Sequence, residues 1–248
     1  MARFLRMLTF QVSLFARNSY FAQLLLTSTL SVLLLQYVAT FSSGAQATEQ
    51  AWLRAGMVGT WTMCAVSTGL IGFQRFQGTL IHHVVSPLGA RAALLPVVGS
   101  AATFGLFAFP LAGAAAALLG MPLGRLNWSL VFAIAAFWLA SLSMSLVIAA
   151  LFAHHPDALV YESLVAAPLI LLSGIFGLPP QLGFLDAPLR VLPLNSAVHA
   201  VSTAGSSPTF WIDMALTVVS SVLWLSVAAV LTSMAVRRAV QHASVDLT

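Results

Sequence analysis

Few side chains in this sequence are suited to chemistry. Two adjacent histidine pairs, His82–His83 and His154–His155, carry imidazoles, and Asp157 lies two residues past the second pair. Imidazole and carboxylate groups are ligands for a divalent cation, so a metal site drawing on both pairs is the first chemistry to weigh. Neighbouring residues on a helix point about 100° apart, so His82 and His83 do not chelate one ion together. No CxxC sequence adds thiolates. The expectation is polar loop histidines and no metal. The single cysteine, Cys64, lies in an apolar run and reads as a small buried hydrophobe. Glu162 is the only acidic residue appreciably inside an expected span, and an acid at membrane depth is a functional candidate by default. The alternative for Glu162 is an interfacial carboxylate paired with an arginine. Cys64 and Glu162 alone make a poor nucleophile-and-base set. There is no P-loop, G-x-G-x-x-G or H-E-x-x-H sequence. The chain is therefore expected to catalyse nothing itself and to carry no cofactor of its own.

The elements that position these groups follow from composition. Of 248 residues, 60% are apolar and only 6% are charged. A soluble surface needs about a quarter of its residues charged, so lipid must be the solvent for most of this chain. The net charge is +4, and all ten basic residues are arginine. No basic patch is interleaved with aromatics, so the excess reads as topology and not as nucleic-acid binding.

Six segments are long enough to cross a hydrocarbon core, near 20–41, 51–72, 94–119, 128–153, 158–178 and 211–235. An even number places both termini on one side. With that side as the cytoplasm, it holds Arg3, Arg6, Arg17, Arg75, Arg91, Arg237 and Arg238, against Arg54, Arg125 and Arg190 outside. Seven against three follows the positive-inside rule. The small-residue stretch "SSGAQA" (42–47) resembles a signal-peptide cleavage site. The apolar run before it is longer than a signal's usual 7–15 residues, so a retained first span is expected. Ahead of that span, residues 1–19 place Leu5, Leu8, Val12 and Phe15 at helical spacing, with Arg6, Ser13 and Arg17 largely on another face. This predicts an interfacial helix whose arginines lie near anionic headgroups, with Phe10 out of pattern on the polar side.

Between the second and third expected spans, Phe76, Leu80, Ile81 and Val84 share a helical face while Gln77, Thr79, His82 and His83 fill the rest. Pro87 limits that helix near Ser86. A short amphipathic helix of this kind can lie on lipid or dock in a partner's groove. On the outer side, residues 172–208 contain Pro179, Pro180, Pro188, Pro193 and Pro208 among many apolar residues. That segment is too apolar for a free loop and too broken to span. Short helices or a re-entrant hairpin buried by protein satisfy both facts, with Gly174 and Gly177 letting the fifth span end and turn.

With these segments in place, the chain resembles the permease subunit of ABC-2 type ABC transporters. "RFQGTLIHHVVSPLGAR" (75–91) is similar to the family's cytoplasmic element "ERE-x-GTL…PV-x-R". "LLSGIFGLPPQLGF" and "VLPLNSAVHAV" (171–201) are similar to its "LSG-x-x-x-P…P" element after the fifth span. The resemblance covers essentially the whole chain in layout. Gln74 and Phe76 stand where the family often has glutamate, and His82 and His83 where charged residues are common, which implies a more apolar docking surface.

The resemblance implies one all-α transmembrane domain over 1–248, with six spans, an interfacial N-terminal helix, a coupling helix and a broken or re-entrant segment between spans five and six. It implies that residues 76–86 are the coupling helix seated on an ABC ATPase subunit, with Arg75 and Arg91 flanking the contact. His154, His155 and Asp157 form a second, smaller contact. ATP and Mg²⁺ belong to that partner, and a second copy or a related permease completes the translocation path. Candidate path residues are Gln23, Gln36, Thr62, Ser67 and Glu162, while the small residues of spans three and four serve close packing. The implied function is export of a hydrophobic or amphipathic molecule (drug, antibiotic, peptide or lipid) across a bacterial inner membrane. Polysaccharide or haem export stays open within the family, and an ATP-independent carrier outside it, although no internal repeat favours a carrier.

Overall fold

The computed structural model describes residues 2–45, 48–76, 90–124, 126–152, 158–177, 180–204 and 207–245. All regular structure among them is helical. Chain order gives α1 (Ala2–Arg17), α2 (Ser19–Ser43), α3 (Ala51–Phe76), α4 (Ala90–Gly105), α5 (Ala108–Leu118), α6 (Trp128–Phe152) and α7 (Ala158–Leu172). A 3-10 turn (Pro180–Leu185), α8 (Asp186–Leu189), α9 (Pro193–Ser202) and α10 (Phe210–Val245) follow.

Asn18 separates α1 from α2. Its backbone is extended, and its Oδ1 accepts from Tyr20 N at 3.0 Å, covering one of the free amides at the start of α2. The apolar face expected for α1 is turned onto protein. Phe15 is buried against Phe21 and Phe104, with ring centroids 4.5 and 6.3 Å apart, and Leu8 reaches Gly99 of α4. Arg6, Phe10, Leu14 and Arg17 face outward. Phe10, out of pattern in the sequence, belongs to this outer face.

Along α2, Phe21, Leu25, Thr29 and Leu33 recur every four residues as a single buried stripe. The opposite side exposes Leu26, Leu34, Leu35, Val38 and Phe41. An apolar surface of that extent is stable only against lipid or another protein. The helix α3 contrasts with it, because α2, α4, α5, α6, α7 and α9 all pack against it. Nearly every residue from Ala51 to Thr68 is buried or half-buried, with Trp61, Met57 and Cys64 at the centre of the core. Its glycines permit this crowding: a Cβ at Gly56 would stand 2.6 Å from the Phe109 ring and 3.1 Å from its Cα.

The third expected span is bent. Pro110 has no N–H for the carbonyl of Leu106, and the chain between α4 and α5 closes instead with tighter i→i+3 bonds, Phe107 N to Phe104 O at 3.1 Å and Phe109 N to Leu106 O at 3.2 Å. The carbonyl of Gly105 is thereby freed. The Thr60 hydroxyl of α3 lies 2.9 Å from it and 2.9 Å from Gly56 O, sharing its proton between them.

Among the described residues, four stretches are long and apolar enough to cross a membrane: Ser19–Ser43, Val98–Leu118, Trp128–Phe152 and Phe210–Met234. The helix α3 has the length, roughly 39 Å at 1.5 Å per residue. Arg54 and its glycines, serines and threonines keep it below them in hydropathy, as its interior position allows. The helix α7 ends at Leu172, six residues before the expected boundary, and α10 continues ten residues beyond its own, to Val245.

Candidate functional site

The early end of α7 builds the region richest in converging polar groups. Its last turn closes with Ser173 N bonded to Leu169 O at 2.9 Å, and the chain then turns through Gly174 (φ 75°) and Gly177 (φ 81°). Side chains with a Cβ rarely adopt such angles, so glycine ends this helix. Leu192 is extended, Pro193 opens α9 with its preset φ, and α9 runs buried against α6 and α10. Within this Pro-rich segment α9 is buried by protein, while Gln181, Gly183, Phe184, Ala187, Pro188 and Val191 of the broken part before it are exposed.

Asn195 of α9 holds the break closed. It is fully buried, and its Nδ2 donates to Leu172 O and Ser173 O, both at 3.3 Å. Those carbonyls belong to the end of α7 and lack helical partners. Beside it, Thr217 Oγ1 of α10 lies 3.2 Å from Ser196 Oγ, and Gln50 Nε2 donates to Ser202 O at 3.2 Å. Replacing Asn195 with alanine is expected to cost about 1–3 kcal/mol by leaving buried carbonyls without a donor. A lowered thermal midpoint of the purified chain checks this, and an unchanged midpoint would remove Asn195 from that role.

Four charged or ionisable groups join the segment to α10. His199 Nε2 lies 3.2 Å from Asp186 Oδ1, Arg190 Nη2 lies 3.4 Å from Asp186 Oδ2, and Arg190 Nη1 lies 3.9 Å from Asp213 Oδ1. Asp213 is only 3% exposed and sits in the first turn of α10, where the helix dipole favours a negative charge. A cleft of about 380 Å³ opens beside this chain of contacts, lined by Gly174, Gly177, Gly183, Asp186, Asn195 and His199. Among the described residues no three His, Cys, Asp or Glu side chains form a metal set.

The residues singled out from sequence fall elsewhere. Gln23 is exposed on α2, and Gln36 Nε2 joins α2 to α3 by donating to Ala51 O at 3.2 Å. The hydroxyls of Thr62 and Ser67 bond carbonyls of their own helix, Val58 O at 2.8 Å and Cys64 O at 2.6 Å. Ser67 stands sixteen residues beyond Ala51, roughly 24 Å along α3, so these groups do not converge. Glu162 is described only by its place in α7. Arg75 and Phe76 end α3, and Arg91 is the second residue of α4. Gln77, Thr79, Leu80, Ile81, His82, His83 and Val84, and likewise His154, His155 and Asp157, lie outside the described residues.

Asp186, Asn195, His199 and Asp213 were not found from the sequence. Glu162 was read as the one acid well inside an expected span, yet Asp213 is a buried acid within Phe210–Met234. The available signals were the i,i+4 spacing of Asp186 and Arg190 and an acid in the first turn of an otherwise apolar helix.

Helices of this length and apolarity, packed around a buried α3, define a multi-pass, all-helical membrane protein. The model of the ABC-2 type transporter family matches residues 2–204, from α1 through the broken segment to the end of α9, and the chain belongs to that family. No curated protein and no solved structure matches it. Membership makes the chain a permease component of an ABC transporter.

Proposed function

We propose that this chain is the membrane subunit of an ATP-driven exporter, forming the path for a hydrophobic or amphipathic molecule while a separate ABC ATPase hydrolyses Mg-ATP. The family match over 2–204 carries this reading, because it contains both "RFQGTLIHHVVSPLGAR" and the LSG-containing broken segment. In this reading α3, joined by α7 and the four apolar stretches, brings the spans to six, and a second copy or a related permease closes the path. Both termini and residues 75–91 lie on the cytoplasmic side of a bacterial inner membrane, with α1 at the lipid interface.

The helix ends support the assignment of the ATPase contact. The C-terminus of α3 and the N-terminus of α4 belong to two helices that pack together, so residues 77–89 join neighbouring rods. A push delivered there reaches α3, which packs against α2, α4, α5, α6, α7 and α9. Rigid-body tilting of packed elements is an established way to carry such a push across a bundle.

The test is co-purification. With Leu80 and Ile81 both replaced by aspartate, the chain is expected to insert normally and lose its ATPase subunit, at least tenfold by quantitative blot of the purified complex. Aspartate adds charge to the apolar face of the expected coupling helix, and a desolvated unpaired charge is prohibitive in an apolar docking groove. Retained co-purification would remove residues 76–86 from the coupling role.

A further inference from the structure

The helix α3 is enclosed on every face but one. From Ala51 to Gly69 only Arg54, Thr62 and Val66 are half-buried, and every other residue is buried. Their spacing, with Val58 between Arg54 and Thr62, sets them on one side of the helix. Other faces are taken: Gly56 abuts Phe109 of α5, Gly59 abuts Thr29 of α2, and Thr60 bonds Gly105 O of α4. What remains is a stripe roughly 18 Å long at 1.5 Å per residue. Arg54 heads it in the first turn of α3, and Thr62, a path candidate from the sequence, lies on it.

Arg54 carries a charge that the fold does not match. A guanidinium stays protonated and offers several N–H donors in a planar fork. Its side-chain acceptor among the described residues is a neutral one, Gln50 Oε1, 3.4 Å from Nη2. The chain has six side-chain carboxylates, and none of the described ones lies within 4.0 Å of Arg54. Glu49 sets its Oε2 beside Gly124, while Asp186 and Asp213 face Arg190. Glu162 belongs to α7, Asp157 follows α6 and Asp246 follows α10. The first turn is also the positive end of a helix, so the dipole adds to the charge of Arg54 instead of offsetting it. An anion answers both, and a phosphate, sulfate or carboxylate can take two parallel bonds from the fork. Below Arg54 the stripe suits an alkyl chain. Val58 and Val66 are apolar, and the Thr62 hydroxyl is committed to Val58 O at 2.8 Å.

We propose that this stripe binds a long-chain anionic amphipath, with its acidic head on Arg54 and its alkyl chain along Val58, Thr62 and Val66. Charge decides against a second copy of this chain as the occupant. The carboxylates nearest this end of the bundle, Glu49, Asp186 and Asp213, are turned to Gly124 and Arg190 in that copy as well. Arg54 lies at the end of α3 opposite residues 77–89. As an exit-side station for a transported molecule the stripe rests on the permease reading, and it gives the cargo an acidic head. The binding itself does not rest on that reading, since it is measured on this chain without an ATPase.

The full chain in phosphatidylcholine nanodiscs is incubated with dodecyl phosphate carrying a diazirine at the far end of its chain. After photolysis, labelled peptides are located by mass spectrometry. Saturable labelling of α3 between Val58 and Val66 is expected. Unlabelled dodecyl phosphate should compete, with dodecanol and dodecyltrimethylammonium at least tenfold weaker. Arg54→Gln is expected to weaken saturable labelling at least tenfold, and Arg54→Lys, which keeps the charge, to retain most of it. Thr62→Phe is the steric counterpart: it fills the stripe without changing any charge and is expected to abolish saturable labelling. Equal competition by dodecanol, or wild-type labelling in folded Arg54→Gln or Thr62→Phe, overturns the proposal. So does unsaturable labelling spread over the exposed apolar residues of α2 and α10, which reports partition into the bilayer alone. Should Arg54→Gln fail to fold, Thr62→Phe decides.

Discussion

Gly105→Val is expected to destabilise the chain by about 3 kcal/mol, combining overpacking of roughly 1–3 kcal/mol with the loss of one buried hydrogen bond worth about 1 kcal/mol. A Cβ at this position would stand 3.0 Å from Thr60 O, 3.1 Å from Thr60 Cα and 3.3 Å from Met63 Cβ. Two of those atoms are backbone, so no rotamer change in α3 relieves the contact. Pushing α4 away also stretches the 2.9 Å approach of the Thr60 hydroxyl to the carbonyl freed by the bend. For a chain of this size, 1 kcal/mol moves the thermal midpoint by roughly 2–4 °C, so a fall on the order of 10 °C in detergent is the readout. Gly113→Ala is the control. Its Cβ would meet Trp52 at 3.6 Å, an ordinary contact, and the helix gains alanine's better propensity. Equal midpoints for the two variants would show that the α3–α4 crossing is not the tight point described.

The second large effect lies at the junction of the broken segment and α10. Arg190→Ala is expected to cost about 1–3 kcal/mol, less than the roughly 3–5 kcal/mol for a fully buried pair, because the guanidinium is half in solvent. Asp213 is what makes it costly. Its carboxylate is nearly inaccessible, Oδ1 has no hydrogen-bond partner among the described residues, and Arg190 at 3.9 Å is the cation facing it. Asp213→Asn removes the charge that needs neutralising and is expected to change stability little. The double variant should then recover most of the loss from Arg190→Ala, giving a coupling of about 1–2 kcal/mol in a double-mutant cycle. Additive losses would mean that Arg190 acts through Asp186 alone.

Which elements could be read from the sequence followed from the strength of local signals. The helices α1, α2 and α6 lie close to their expected ranges, since Asn18 and Asn127 each accept a bond from the first turn they precede, Tyr20 N at 3.0 Å and Leu130 N at 2.9 Å. The family was legible too, through the Gly-Thr-Leu and Leu-Ser-Gly elements and their order. The bend at Pro110 was not, because apolar composition runs unbroken through it and a hydropathy window does not register a missing N–H. The direction of α1's apolar face was also hidden. Helical spacing shows that Leu8, Val12 and Phe15 share a face, but lipid and α4 are equally apolar hosts for it. The polar cleft depends on contacts between residues far apart in the chain, such as Arg190 with Asp213, and one-dimensional spacing carries no signal for those. Gln36, Thr62 and Ser67 are path candidates by residue type, and each has its side chain bonded to a backbone carbonyl of α2 or α3.

The bond from Gln50 to Ser202 links residues 152 positions apart. At ribosomal rates of about 5–20 residues per second, that separation corresponds to roughly 8–30 seconds of synthesis. Trp52 waits less, since its indole N–H bonds Leu123 O, 71 positions on. During synthesis α2 and α3 are therefore complete long before the backbone groups that bond Gln50 and Trp52 exist. The N-terminal end of α3 is thus made early and bonded late.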